Sequence, residues 1–430
     1  MHILFCATGH HFSEHQFGFV GGRNTSLALS LVTDVVAYAN TNGSCVYACS
    51  LDAEGAFDNI PHSILFQKTI GIIPDLCWRT LVMWYKSLNV VVKWNGHFSE
   101  PICVLKGTRQ GGLSSPFLFN IVYQDMIFML NSMPCGISIQ DKKFNAFCYA
   151  DDILITSLTP CGLQMLMDAS SQYITSHGLR FNPHKTKCIS LGKQHLLVQP
   201  HLTLNGIGIK QFDKIDYLGA VLSNNSHDHV EARIQACRRA FYSLQGAGLC
   251  VSGACAQTIT KIWNMVLRPV LLYGLSSFSL SRKSINELES TQGKLLKSAF
   301  GLGKYCKNTE FLISMGIQKI STSIDIARID MLKLALKGTS ACTDLYSRAL
   351  ADIMCGSNQL DSKFMAQCRD VFKNCAISAC HYLVDDNYAL GCKKHIRTQP
   401  RSGITDSINY LLSSQQSNYV QLVNMLLSPF

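Results

Sequence analysis

Charged residues are scarce in this sequence. Only 15% of its 430 residues are Asp, Glu, Lys or Arg, while 47% are hydrophobic. Disorder requires the opposite balance, so a disordered chain is excluded and a sizeable core, divided over two or three domains, is expected. Acid is the scarcer charge: 28 Asp and Glu stand against 38 Lys and Arg, a formal net charge of +10. That excess fits an anionic partner, nucleic acid most readily, although solvated lysines are the plain alternative. Long apolar runs are also missing. The most apolar stretch, Ile262 to Leu280, is broken by Asn264, Arg268, Pro269 and Tyr273, so no membrane partner is expected. Met1 to Ala7 has neither the basic region nor the length of a secretory signal. Repeats and low-complexity tracts are lacking too. Cysteine, by contrast, is plentiful: 19 residues are scattered through apolar segments such as Phe147-Cys148-Tyr149. Without a signal, they read as reduced, buried thiols of a nuclear and/or cytoplasmic protein.

The texture changes once along the chain. Val46 to Leu51 is a short apolar run ending in Asp52, the pattern of a buried strand. Leu76 to Leu88, Pro116 to Leu130 and Gly162 to Ser176 read as helices. Val90 to Trp94 and Pro101 to Leu105 flank Asn95-Gly96, a turn signal between two strands. Phe144 to Tyr149 and Ile153 to Thr156 bracket Asp151-Asp152, and strand-like runs follow at Leu202 to Ile209 and Tyr217 to Leu222. After Asn224-Asn225-Ser226 the pattern turns helical, opening with Val230, Ile234, Cys237, Phe241 and Leu244 at helical spacing. An α+β part therefore precedes an α part.

Chemistry concentrates in the carboxylates. Asp52 closes one apolar strand, and Asp151-Asp152 separates two more. A two-residue hairpin turn favours Asn-Gly or Asp-Gly, so turn chemistry explains Asp-Asp badly. If these strands are neighbours in one sheet, three carboxylates meet at its edge. Like charges held together call for a hard cation, for which oxygen ligands suit Mg²⁺. Two such ions, roughly 3.5–4 Å apart, clamp the attacking and leaving oxygens of a phosphoryl transfer. For any single Asp, capping a helix or filling an exposed turn is an equally good account.

Further segments weigh on the constellation. Ser50-Leu-Asp-Ala-Glu-Gly-Ala-Phe-Asp58 resembles the first aspartate motif of the reverse transcriptases of non-LTR (LINE-type) retrotransposons. Gly107-Thr-Arg-Gln-Gly-Gly-Leu-Ser-Ser-Pro116 resembles the second palm motif, and Tyr149-Ala-Asp-Asp152 the signature box. Gly178-Leu-Arg-Phe-Asn-Pro-His-Lys-Thr186 and Tyr217-Leu-Gly219 are similar to the motifs that follow. Gln16-Phe-Gly-Phe-Val-Gly-Gly-Arg-Asn-Thr25 is similar to a fingers motif, and Val270-Leu-Leu-Tyr-Gly274 to a segment beyond the thumb. A bare Tyr-x-Asp-Asp is weak; the ordered set, over residues 16 to about 275, is strong.

The resemblance implies a right-hand polymerase, α+β, with partial fingers over 1–45, a palm with an antiparallel sheet over 46–224, a helical thumb over 225–305 and a helical region of unassigned role over 306–430. It implies RNA-directed DNA polymerase activity, a nucleotidyltransferase that takes an RNA template, a DNA primer and dNTPs. Asp52, Asp151 and Asp152 would be the catalytic Mg²⁺ ligands, and Lys185 would protonate departing pyrophosphate. Phe57 would be a steric gate against a 2′-hydroxyl, with an ordinary core Phe as the alternative. Arg109, Gln110 and Arg23 would contact the nucleotide. Arg233, Arg238 and Arg239, with Lys261 and Arg268, would grip the nucleic-acid backbone in a salt-dependent manner, or simply form a solvated helix face.

Some features depart from the family or carry no site. Val20 stands where relatives commonly have Arg, Gly55 replaces a frequent Lys, and Gly112-Leu-Ser114 replaces an acidic-Pro-Leu run. The family usually has longer fingers before the Gln16 motif, so an N-terminally truncated polymerase is expected, with endonuclease activity supplied from elsewhere. The alternative is a catalytically inactive remnant that binds nucleic acid. An intron-type maturase shares the Phe-Gly-Phe and Tyr-Ala-Asp-Asp elements, but Val270 to Gly274 argues for the retrotransposon. Cys375, Cys380, Cys392 and His395 lack zinc-knuckle spacing, and Gly301-Leu-Gly-Lys304 lacks that of a phosphate loop.

Overall fold

Six consecutive uncharged residues, Val46-Tyr-Ala-Cys-Ser-Leu51, can be covered on both faces, and in the computed structural model they form an inner strand, β1 (Val46–Leu51). The structure describes residues 12–109, 111–193, 201–246, 248, 255–303, 305–338, 340–343, 345–347, 363–375, 382–383, 385–394 and 396. The chain divides into two compact units, Met1–Leu218 with Gly338–Leu345, and Gly219–Lys337 with Tyr346–Phe430.

The first unit is built on an antiparallel sheet of β1, β2 (Ala146–Tyr149), β3 (Asp152–Ser157) and β4 (Lys187–Leu191), in the order β4-β1-β3-β2. The register sets Tyr47 opposite Ser157 and Leu51 opposite Ile153 on one side, and Ser50 opposite Lys187 on the other. Helices α1 (Thr25–Thr41), α2 (Ser115–Ser132) and α3 (Pro160–Ser176) pack against it. Each begins where its sequence allows: Asn24 Oδ1 accepts the Leu27 N–H at 2.8 Å, Thr159 Oγ1 accepts the Gly162 N–H at 3.1 Å, and Pro116 and Pro160 sit in first turns whose N–H groups need no helical partner. Phe119, Met126, Ile127 and Leu130 of α2 are fully buried against Cys148, Ile153 and Ile155 of the sheet, each burial contributing about 1.5–3 kcal/mol.

Three strand-like runs are interrupted. Leu202 to Ile209 is a hairpin, Thr203–Leu204 pairing with Ile207–Gly208 around Asn205-Gly206, both at positive φ. Asn-Gly is suited to that turn, and the apolar residues around it hid the signal. Leu218 and Gly219, also at positive φ, divide the Tyr217 to Leu222 run. The Asn95-Gly96 turn is present, but Val90 to Trp94 is not continuous: Lys93–Trp94 pairs with His97–Phe98, and Asn89–Val90 with Ile102–Cys103. The fourth strand, Lys187–Leu191, is one that the sequence pattern does not announce.

The second unit is helical in its described residues from His227 onward, with α4 (His227–Gly246), α5 (Arg282–Ala299), α6 (Asn308–Ser314), α7 (Ile320–Lys337) and α8 (Lys363–Asn374). The α4 stripe Val230, Ile234, Cys237 and Phe241 is buried with Trp263, Leu271, Leu288 and Phe311. Pro269, which lacks an N–H and crowds the preceding turn, follows a π-helical turn at Trp263–Leu267, where the Arg268 N–H reaches back to Trp263 O. Among the described residues the cysteines form no disulfide, and no helix is long and apolar enough to cross a membrane.

Candidate active site

One end of the sheet gathers the acidic residues. Leu51 lies opposite Ile153, so the next residue on β1, Asp52, falls level with Asp152, the first residue of β3. Tyr149 pairs with Asp152 across the hairpin, which leaves Ala150 and Asp151 as its turn. The Asp-Asp pair is therefore split between turn and strand. The turn demands positive φ only of Ala150, at 55°, and this is why the pair's poor turn chemistry is no obstacle.

The three carboxylates feel one another. Burial first, and then the Asp52 charge, push the Asp151 carboxyl above the usual carboxylate range. Asp152 is exposed as a residue, yet its carboxyl is also pushed up, by loss of solvent and then by the charges of Asp151 and Asp52. Asp52 Oδ2 is buried and has no hydrogen-bond partner among the described residues; Lys185 Nζ lies at ion-pair distance, 3.7 Å away. Among the described residues no group of three or more carboxylate, imidazole or thiol donors is preassembled as a metal cage. The donor chemistry nevertheless fits a hard divalent cation: acceptor-only oxygens, mutual repulsion to relieve, and one orphaned oxygen.

Lys185 reaches this end because the chain turns tightly before β4. The Asn182 N–H donates to Asp52 O at 2.8 Å, and Asn182 Oδ1 accepts the His184 N–H at 3.0 Å, closing an Asx turn. The sequence signal for this turn is the Asn-Pro dipeptide that begins at Asn182.

Phe57 lies on a four-residue helical turn (Ala56–Asn59) just past Asp52. Its half-buried ring stacks on Phe119 with centroids 4.1 Å apart, and Phe119 stacks on Tyr123 at 4.4 Å. Thr108 N–H donates to Phe57 O at 2.7 Å, which ties the Gly107 segment to the same turn. Gly107 sits there at φ 91°, where a Cβ would lie 2.8 Å from Asp58 O. Arg109 is exposed, with its guanidinium 5.8 Å from the Trp84 ring centroid. Gln110 lies outside the described residues, as do Cys380 and His395 of the declined zinc set. Arg23 Nη1 donates to Ser13 O and Gln16 O at 2.6 and 2.5 Å, and burial lowers its pKa to about 10. Its observed contacts thus fasten the 13–16 segment.

In the second unit, Arg233, Arg238 and Arg239 lie on α4 away from the buried stripe. Arg233 is half-buried, 5.6 Å from the Tyr273 ring centroid, while Arg239 is exposed.

The family described as reverse transcriptase (RNA-dependent DNA polymerase) matches residues 2–222. The chain is 22% identical over 323 residues to the "Probable RNA-directed DNA polymerase from transposon BS" of Drosophila melanogaster, covering 72% of this chain and 35% of that protein. It is 22% identical over 349 residues to the "RNA-directed DNA polymerase from mobile element jockey" of the same species, covering 79% and 38%. A "Retrovirus-related Pol polyprotein from type-1 retrotransposable element R2" of Popillia japonica is 23% identical over 69% of this chain and 43% of its own length. The chain thus spans well under half of these curated relatives. Among solved structures, an apo telomerase from Candida Tropicalis matches with 12% identity and a TM-score of 0.39 over 80% of this chain and 59% of that one, too low a score to argue a fold from.

Proposed function

We propose an RNA-directed DNA polymerase function of the non-LTR retrotransposon kind for this chain, which belongs to the reverse transcriptase (RNA-dependent DNA polymerase) family. The supporting observation is the convergence of Asp52, Asp151 and Asp152 at one end of an antiparallel sheet, through a register that leaves Asp52 Oδ2 without a hydrogen bond. On this reading the sheet with α2 and α3 is a palm, residues 1–45, α1 included, are partial fingers, and the helices over 225–305 a thumb.

The three aspartates would hold Mg²⁺, which when bound polarises the oxygens of a phosphoryl transfer. The primer 3′-hydroxyl oxygen forms a bond to the α-phosphorus of an incoming dNTP, its proton passing to solvent, and the α–β bridging P–O bond breaks. Lys185, free to swing because its side chain is 69% exposed, supplies the proton to the departing pyrophosphate. Phe57, braced from behind by Phe119, presents a fixed ring against the sugar and leaves no room for a 2′-hydroxyl. Arg109 and Gln110 accompany the nucleotide, while Arg233, Arg238 and Arg239 take the backbone of the primer–template duplex.

The test is Mg²⁺-dependent extension of a DNA primer on an RNA template by the chain and by its Asp151→Asn variant. Extension by the first and none by the second is expected. Binding of primer–template with extension by neither would leave a nucleic-acid-binding remnant in place of a polymerase.

A further inference from the structure

The aspartate turn does not hold itself. Ala150 occupies a left-handed backbone region that costs a non-glycine residue about 1 kcal/mol or more, so something outside the hairpin has to maintain it. The segment His15–Gly18 runs beside β2: Cys148 N–H donates to His15 O at 2.9 Å and Phe17 N–H to Cys148 O at 2.7 Å. Where this pairing ends, Gln16 Oε1 accepts two backbone donors, the Gly18 N–H at 2.9 Å and the Ala150 N–H at 3.0 Å. Two donors converging on one atom identify it as the amide oxygen. The Gln16 side chain is 1% exposed, so water does not compete for either bond.

The neighbours admit little slack. A Cβ on Gly18 would lie 2.3 Å from Ala150 N, closer than any side chain tolerates, so the two backbones are in direct contact. Asn120 Nδ2 donates to Gly18 O at 2.9 Å from α2, and Arg23 grips Gln16 O from the other side. Moving Gln16 therefore moves Ala150, and Asp151 is the next residue.

We propose that Gln16 is a positioning residue for the aspartate turn: through its bond to the Ala150 N–H it fixes the left-handed turn and so the placement of Asp151 and Asp152 relative to Asp52. Gln16 is buried, so its effect passes through the turn. This deepens the polymerase reading and rests on it for its catalytic meaning, but the geometric part is measurable without turnover. Residues of this kind around a metal site typically alter affinity or rate by about 10–100-fold when replaced.

The test compares the full chain with Gln16→Met, which keeps length and loses the acceptor, and Gln16→Glu, which restores an acceptor oxygen. Three readouts are needed: hydrogen exchange of the peptide spanning Phe147 to Ile153, Mn²⁺ binding followed by electron paramagnetic resonance, and primer extension. Gln16→Met is expected to speed exchange in that peptide, to raise the half-saturating Mn²⁺ concentration about tenfold, and to lower kcat with the KM for primer–template unchanged. Gln16→Glu is expected to recover most of each where its buried carboxyl is protonated, and less where it is ionised. If Gln16→Met does not fold, Asn120→Ala, which loosens Gly18 from α2, takes its place with smaller shifts of the same sign. Wild-type exchange and Mn²⁺ affinity in Gln16→Met would overturn the inference, as would equal losses in both Gln16 variants. A wild-type chain that binds Mn²⁺ at this turn but never extends a primer would overturn the polymerase reading alone.

Discussion

Lys185 Nζ lies 3.7 Å from Asp52 Oδ2, and the tight turn before β4 puts it there. The β1–β4 ladder ends at Ser50 opposite Lys187, and beyond it the Asn182 N–H bonds Asp52 O, so the turn that carries Lys185 lies against Asp52. The Lys185 side chain is 69% exposed and that of Asp52 40%, so the pair stabilises the fold by about 1 kcal/mol at most. Its significance is positional: a mobile ammonium is tethered at the carboxylate end of the sheet.

Lys185→Met is therefore expected to change the melting temperature little and to lower the single-nucleotide incorporation rate by about 10²-fold. Lys185→Arg separates two roles. Arginine keeps the charge but does not give up its proton, so a lysine acting as a general acid is not replaced by it. Rapid-quench incorporation with both variants decides: an arginine variant as fast as the wild type would reduce Lys185 to a fixed charge.

The raised carboxyls of Asp151 and Asp152 carry a pH signature in the metal-free protein. A carboxyl with a native pKa above its unfolded value binds more protons folded than unfolded, so stability falls as pH rises through that interval. The penalty is absent below the ordinary carboxylate range near pH ~4 and fully developed above the raised native values. Urea midpoints without divalent ions should fall over this window, and Asp151→Asn should flatten the fall. Saturating Mg²⁺ should restore the wild type at neutral pH and do less for the variant. A pH dependence that Asp151→Asn leaves unchanged would mean that the carboxyls of the aspartate turn do not carry it.

Much of this was legible in sequence, for identifiable reasons. Strands β1 and β2 are uncharged apolar runs that lead towards aspartates, β3 is an apolar run that begins with one, and α1 to α3 carry caps or prolines at their starts, so local chemistry and tertiary environment agree. The Leu202 to Ile209 hairpin is hidden in sequence because Asn205-Gly206 reverses the chain inside an apolar stretch, where a period-2 pattern looks unbroken. Lys187–Leu191 is hard to read as a strand because lysine opens it and polar Ser190, opposite Tyr47 on the ladder, interrupts its short apolar run. The site's carboxylates could be named in advance, but the Gln16 tether could not: its partner is 134 residues away, and nothing local distinguishes a glutamine that accepts two N–H groups from one in solvent.

Phe57 tests the sugar selectivity. Stacked 4.1 Å from Phe119 and edge-on to Phe19 at 6.4 Å, its ring is held from two sides. Phe57→Val opens the space beneath the sugar and leaves the Phe119–Tyr123 stack in place. Ribonucleotide over deoxyribonucleotide incorporation, measured as the ratio of kcat/KM values, should rise by about one to two orders of magnitude. Some stability should go with it, roughly 1–3 kcal/mol, because the ring is only half-buried. Unchanged selectivity with the stability loss would make Phe57 an ordinary core residue.

The family match ends at residue 222, yet Gly338–Leu345 belongs to the first unit. Ala341 N–H donates to Glu14 O at 2.9 Å, and Cys342, fully buried, points its thiol at Leu27 O, 3.6 Å away. Burial pushes that thiol up to about 12, and Asp34 adds to the shift, so the surroundings resist negative charge. Cys342→Ala removes one small buried group and should cost about 1 kcal/mol. Cys342→Asp places a carboxylate in the same pocket beside Asp34 and should cost about 3 kcal/mol or more, recovering partly as the solution is acidified and the new group is protonated. Because Glu14 lies in the segment that Arg23 and Gln16 anchor, the Asp variant should also speed hydrogen exchange in residues 13–18. A Cys342→Asp chain with a wild-type urea midpoint would show that the 338–345 segment is not packed against α1, and that residues 12–218 hold the aspartate end of the sheet without it.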